Sequence, residues 1–246
     1  MSNAANDITQ HSQETPNQIA DRVGRVWSNR YEAEGKIWGD EASPSALILE
    51  DLLDSPSLIA EFGYGYGRDM RELAQMGHKV TGIEKSEVGE QMAKELLGKY
   101  IEAGQAHFLH GDFSTAPLGK EEYDAVESHR VLHLLGNNGL VRAFKKQAEK
   151  ILKPEGLLVV SARNENDFND TKMKWLDKEA GVAEYKDRPG HIISFWTDKR
   201  FEDTFSDKFN IESLKATTEI ESQQNPEDSH ITIMVARKKL PANVVK

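Results

Sequence analysis

The residues best placed to do chemistry fall into a few short segments. Glu61-Phe62-Gly63-Tyr64-Gly65-Tyr66-Gly67-Arg68-Asp69 sets glycines at alternate positions between acids. Glycines so spaced let a backbone take positive φ and approach a ligand that a β-carbon would exclude. Glu84 follows at about the 20-residue distance at which an acid reaches a ribose diol in nucleotide-binding folds, with Lys85 beside it. Gly111-Asp112-Phe113 adds an acceptor for an exocyclic amine and a ring that can lie against a purine. Together these describe an adenosine site. The dinucleotide fingerprint would need glycine where Arg68 stands, so a pyrophosphate fits poorly and the group attached to the nucleoside is not a phosphate. Tyr64 and Tyr66, the loop's variable residues, are either cofactor contacts or packing groups.

Ser128-His129-Arg130-Val131-Leu132-His133 follows a strand pattern at the edge where open α/β sheets bind ligands. His129 is the first candidate for lining the cofactor or substrate, and His133 the second, with hydrogen-bonded packing histidines as the alternative. Their spacing also suits a two-histidine metal site, but no clear third ligand is present, and no metal is expected. Arg163 either pairs with an anionic substrate group or is solvated. Trp27, Tyr31 and Trp38 either close over the cleft and exclude water or staple a segment to the core. Phe168, Trp175, Tyr185 and His191 form the other expected wall, so Tyr31, Trp38, Arg163, Trp175 and His191 are the candidate substrate contacts.

The elements that must position these residues follow from periodicity. Residues 1–18, rich in Asn, Ser, Gln, Thr and Glu, read as a mobile tail, and 19–56 as a helical lid region with helices over Asp21–Gly39 and Ser45–Leu53. Leu58–Phe62 is an apolar run before the glycines, and Arg68–Met76 has helical spacing up to Gly77. The alternation repeats: strands at Lys79–Ile83, His107–Leu109, Tyr123–Glu127 and Leu157–Ser161, with one helical face through Val88, Met92, Leu96 and Tyr100 and another through Leu140, Phe144, Ala148 and Ile151. Alternating strands and helices predict a doubly wound, mostly parallel α/β sheet over 57–240. Polar composition marks 163–190 as an insertion. A short strand at His191–Trp196 and a helix at Asp198–Phe205 follow, and an antiparallel pair at 209–216 and 230–237 brings the expected sheet to seven strands.

The chain has 246 residues, 31 Lys+Arg against 41 Asp+Glu, and a formal charge of −10, which argues against phosphate backbones as partners. It has no cysteine, so disulfides, zinc ribbons, thiol nucleophiles and thiolate-held metalloids are excluded. No apolar run is long enough for a membrane span and no secretory leader is evident, so a cytoplasmic location is expected.

On the loop from Glu61 to Gly67, Glu84 and Asp112, the sequence resembles the class I S-adenosylmethionine-dependent methyltransferases. The resemblance implies a Rossmann-like fold with an antiparallel last strand and S-adenosyl-L-methionine as cofactor, converted to S-adenosyl-L-homocysteine. It implies that Glu61 and Gly63, Gly65 and Gly67 hold the methionine end, Glu84 the ribose and Asp112 the adenine. More loosely, the aromatic lead from Trp27, Gly67-Arg68-Asp69, Ser194-Phe195-Trp196 and Met234-Val235-Ala236-Arg237-Lys238 resemble the tellurite-resistance and thiopurine methyltransferase group. That resemblance implies a small-molecule acceptor with a sulfur or chalcogen nucleophile; an oxygen or nitrogen acceptor fits the chain equally well. RNA or protein methylation, cofactor binding without turnover, and a nicotinamide enzyme are the remaining alternatives. The absence of cysteine counts against arsenite methylation.

Overall fold

The structure, a computed structural model, describes residues 15–136 and 138–240. Residues 1–14 of the expected tail lie outside the described residues. Helix α1 (Pro16–Glu34) starts inside that tail, because Thr15 and Gln18 form a reciprocal capping box; it ends at Gly35, where φ is 65°. Helix α2 (Pro44–Leu52) is capped by the Ser43 side chain.

Strand β1 (Leu58–Phe62) then runs through the glycine loop into α3 (Arg68–Gln75). Strand β2 (Lys79–Glu84) leads to α4 (Glu87–Leu96) and α5 (Gly98–Glu102), and these to β3 (Ala106–His110). The single helix expected through Tyr100 is therefore two, since Leu97 leaves helical geometry at φ −103° and ψ 11° just before Gly98. Strand β4 (Tyr123–Ser128), α6 (Asn138–Ile151) and β5 (Leu152–Arg163) close the alternating part.

The region expected as an insertion forms its own antiparallel sheet of β6 (Met173–Asp177), β7 (Val182–Tyr185) and β8 (Ile192–Ser194). Met173, Ala183, Tyr185, Ile193 and Phe195 bury one face of it against Leu134 and against Val23 and Trp27 of α1. The polar composition hid this because only that one face is apolar. Helix α7 (Asp198–Phe205) precedes the hairpin β9 (Phe209–Ile220) and β10 (Asp228–Lys238), which is longer at both strands than the sequence pattern suggested.

The seven-stranded sheet has the order β3-β2-β1-β4-β5-β10-β9, with β10 antiparallel to both neighbours and β1 to β5 parallel. Alternate residues feed the two cores. Ala60, Phe62, Val126, Leu158 and Val160 face Phe144 and Ala148 of α6 and Phe201 and Phe205 of α7. Ile59, Ala125, Leu157 and Val159 face Leu49 of α2 and Met70 and Leu73 of α3. Strands buried on both faces explain the near-continuous apolar runs. The long hairpin carries Glu219 opposite Ser229, and so to the sheet edge where β5 ends.

Candidate active site

The glycine loop is set by its contacts. Gly63 has φ 80° and donates its N–H to the Ile83 carbonyl at 2.8 Å, and a β-carbon there would meet Val131 Cγ2 at 2.5 Å. Gly65, with φ 58°, lies under Tyr31, whose hydroxyl would be 2.5 Å from a β-carbon. Gly67 opens α3 in the left-handed region with no side-chain cap, so the first amides of the helix offer a positive end to an anion.

Between this loop, the ends of β2 and β3, the turn after β4, and α1 lies a cleft open to solvent. It brings together the candidates Glu61, Gly63, Tyr64, Gly65, Glu84, Lys85, Asp112, Phe113 and His129 with Tyr31 and Trp38. Gly67 stands behind it, against Ala93 and Leu97.

Glu84 accepts N–H hydrogen bonds from Gly65, Lys85 and Ser86, each at 2.8 Å. Burial raises its carboxyl, and those amides partly offset the rise. Asp112 Oδ1 accepts from the Ser114 N–H and hydroxyl, fixing the turn that presents the second oxygen. Phe113 stacks on Phe62 at 5.4 Å and meets Phe144 edge-on. Lys85 reaches out to Asp21 of α1 at 2.8 Å.

The two loop tyrosines differ. Tyr64 packs edge-on against Phe108, and burial raises its hydroxyl. The Tyr66 hydroxyl donates to the Gly39 carbonyl at 2.7 Å and accepts the Trp38 N–H at 3.1 Å, and burial pushes it up to about 12. It ties the segment between α1 and α2 to the loop. Trp27 packs against Tyr31 and Trp38 at 5.7 and 5.6 Å, and Arg68 and Arg130 lie over the Trp38 ring at 5.5 and 5.4 Å.

His129 has both ring nitrogens engaged. Nδ1 faces the hydroxyls of Ser45 and Ser161 at 2.9 Å, and Nε2 faces Glu219 Oε2 at 2.8 Å. Burial alone would raise the Glu219 carboxyl, but His129, Arg130 and Arg68 outweigh it and bring it to about 2. A proton transfer at His129 requires one of these bonds to be given up.

The structure keeps other candidates out of the cleft. His133 is buried, accepts the Arg163 N–H at 3.4 Å, and is held well below its usual value by burial and then by Arg163 and Arg130. Arg163 is buried between Asp167 and Glu221, so its charge is already matched. Trp175 stacks on Phe168 at 4.0 Å within the small sheet's core. His191 is buried between Trp27 and Tyr185, with its ring held neutral by burial first and then by Arg188 and Arg30. Some of these partners are near in sequence, as Asp167 is to Arg163, and others are far, as Glu221 is to Arg163.

Four residues of the site went unassigned. Asp69 accepts the Ser43 N–H at 2.6 Å, and Arg68 lies 3.9 Å from Glu219; both stand in the glycine motif, which is the signal that marked them. Glu127, one residue before Ser128 in a strand otherwise apolar at its centre, was visible as a buried acid. Glu219 sits in a polar stretch with no local signal.

Strand order, glycine loop and cleft at the carboxyl edge define the fold of class I methyltransferases. A family model described as "Methyltransferase domain" matches residues 60–160. An uncharacterized methyltransferase of Geobacillus sp. (strain WCH70) is 26% identical over 176 residues, 68% of this chain and 75% of that protein. The O-methyltransferase cnsE of Penicillium expansum is 31% identical over 107 residues, 42% of this chain and 37% of its own. Among solved structures, the Burkholderia thailandensis 1,6-didemethyltoxoflavin-N1-methyltransferase with bound 1,6-didemethyltoxoflavin and S-adenosylhomocysteine superposes with a TM-score of 0.71 at 17% identity, covering 92% of each chain. Residues 60–160 match a methyltransferase domain, and the relatives and the shared fold support an S-adenosylmethionine-dependent methyltransferase of class I. No described helix is long and apolar enough to cross a membrane.

Proposed function

We propose that the protein methylates a small-molecule acceptor, with a sulfur or chalcogen nucleophile as first choice. The observation that supports this is the aromatic cluster of Trp27, Tyr31 and Trp38, which lines the cleft and packs on Tyr66 of the glycine loop through Tyr31 and Trp38. The engagement of His129 at both ring nitrogens supports a nucleophile that needs no base at that position, such as a thiolate.

The cofactor fits the residues present. Glu61 Oε2 is buried without a hydrogen-bond partner among the described residues, and the absence of β-carbons at Gly63 and Gly65 lets the loop pack against Val131 and Tyr31, both of which line the cleft. S-adenosylmethionine supplies an electrophilic methyl on its sulfonium. Glu84 has lone pairs left for a ribose diol beside the three amides it accepts. Asp112 and Phe113 flank the adenine position, and Glu61 with the start of α3 receives the methionine end. The lid excludes water from the transfer.

An oxygen or nitrogen acceptor is the second reading, favoured by the likeness to the O-methyltransferase cnsE and to the didemethyltoxoflavin N1-methyltransferase. The test is S-adenosylhomocysteine formation across a panel of thiols, selenols, tellurite, phenols and amines. Turnover confined to phenols or amines would overturn the first choice, and tight cofactor binding with no turnover on any of them would favour a binding protein.

A further inference from the structure

Glu61 and Glu127 stand opposite each other in the β1–β4 register, and Asp69 sits in the first turn of α3. One carboxylate oxygen from each lies within 4.8 Å of the other two. All three side chains are buried, with relative exposures of 2%, 0% and 4% for Glu61, Glu127 and Asp69. Glu61 Oε2 and both oxygens of Glu127 have no hydrogen-bond partner among the described residues. Asp69 is already committed to the Ser43 N–H and to Arg68 at 3.8 Å.

The surrounding charges do not balance this group. Arg68 of α3 is its nearby cation; Glu84 of β2 and Glu219 of β9 add negative charge, and Glu219 is itself taken up by His129 and Arg130. Buried carboxylates sharing a site cannot all ionise. Burial first, and then Asp69 beside Glu61 and Glu61 beside Glu127, push both glutamates well above the usual range. What the cluster lacks is a second cation.

We propose that Glu61 and Glu127 share a proton in the cofactor-free protein, and that the α-ammonium of the cofactor displaces it, so that Glu127 couples cofactor binding to proton release. The inference rests on the reading of the cleft as the S-adenosylmethionine site. With adenine at β3 and ribose at β2, the methionine end continues along the sheet order to β1 and β4, where the two glutamates are. Glu61 lines the cleft and Glu127 lies behind it, so Glu127 acts through Glu61 as a positioning residue. The carboxylic O–H bond breaks, its proton passes to bulk buffer, and the ionised oxygens accept from the ammonium N–H groups. Binding therefore tightens as pH rises towards the value at which the free cluster loses its proton.

The test is calorimetric titration of the unmodified protein with S-adenosylhomocysteine at one pH, in buffers of different ionisation enthalpy. The expected result is release of about one proton per ligand bound. Binding whose heat is independent of buffer would overturn the proposal, whereas no binding at all would overturn the cofactor reading instead. A deaminated analogue of the ligand is expected to bind without proton release; release equal to that of the parent would assign the proton elsewhere. In Glu127→Gln, binding is expected to persist with release near zero, and unchanged release would remove Glu127 from the account. Thermal stabilisation of the cofactor-free protein by Mn²⁺, lost in Glu127→Gln, would overturn the shared proton in favour of a divalent cation. The buffer series and the analogue need no variant, so they decide the matter even if the substitution impairs folding.

Discussion

The Glu84 carboxylate accepts the Gly65 N–H at 2.8 Å, so the acid that ends β2 also holds the middle of the glycine loop. Removing it takes away the proposed ribose contact and the anchor of the loop together. Glu84→Ala is expected to weaken S-adenosylhomocysteine binding by about 1.5–3 kcal/mol, roughly 10- to 150-fold, and to lower the melting temperature. Calorimetry with a melting curve checks both. Unchanged affinity in a folded variant would contradict the ribose assignment.

Gly65 and Tyr31 form a second coupled pair. Gly65→Ala would place a methyl 2.5 Å from the Tyr31 hydroxyl, on a residue whose φ of 58° already disfavours a side chain. A loss of about 1–3 kcal/mol is expected in denaturant unfolding. Tyr31→Phe in the same chain should recover part of it by removing the oxygen, leaving the backbone cost. If the double variant is as unstable as the single one, the clash is not with Tyr31.

Arg163 is a structural cation. Arg163→Met leaves Asp167 without this buried cation, while Glu221 keeps Arg130 at 3.0 Å, and should cost about 3–5 kcal/mol of stability. Affinity for S-adenosylhomocysteine in the protein that remains folded should match wild type. A stable variant with raised KM for an anionic acceptor would instead return Arg163 to the substrate site.

Stability should respond to pH in two opposed ways. Glu219 drops from the ordinary 4.5 to about 2 on folding, so its contribution is fully present above 4.5 and is lost as pH falls towards 2. That contribution is on the order of 3 kcal/mol, and Glu219→Gln should flatten the acid limb of a melting-temperature profile. Glu127 is raised on folding, so its contribution is present below 4.5 and is lost as pH rises through the folded value. Glu127→Gln should therefore gain stability relative to wild type as pH rises above 4.5. A constant difference across that range would contradict the raised value.

Trp38 ties the lid to both ends of the cleft, through its Nε1–H to the Glu221 carbonyl at 2.9 Å and through the two guanidinium groups over its ring. Trp38→Ala is expected to raise acceptor KM more than tenfold while changing S-adenosylhomocysteine affinity by less than about threefold. Equal losses in both would make the lid part of the cofactor site.

Much of the fold was legible because its signals are local. The run Leu58–Phe62, the glycines after it and the helical spacing from Arg68 depend on backbone preferences over a few residues, and the structure has them at those bounds. Of the small sheet only β8 was legible, as the short strand expected at His191–Trp196; β6 and β7 were not, since they are short and their apolar face becomes apparent only once Val23, Trp27 and Leu134 cover it.

The order of Glu61, Glu84 and Asp112 along the chain marked the proposed nucleoside site, because Glu61 and Glu84 lie in the last residues of their strands and Asp112 just past its own, at one edge of a parallel sheet. Which charged groups remain free to act was decided by tertiary structure alone. His129 meets Glu219 across 90 positions, and Arg163 meets Glu221 across 58. Both acids arrive on the closing hairpin, and burial makes such pairing compulsory: a charge removed from water must find its partner wherever the fold brings one.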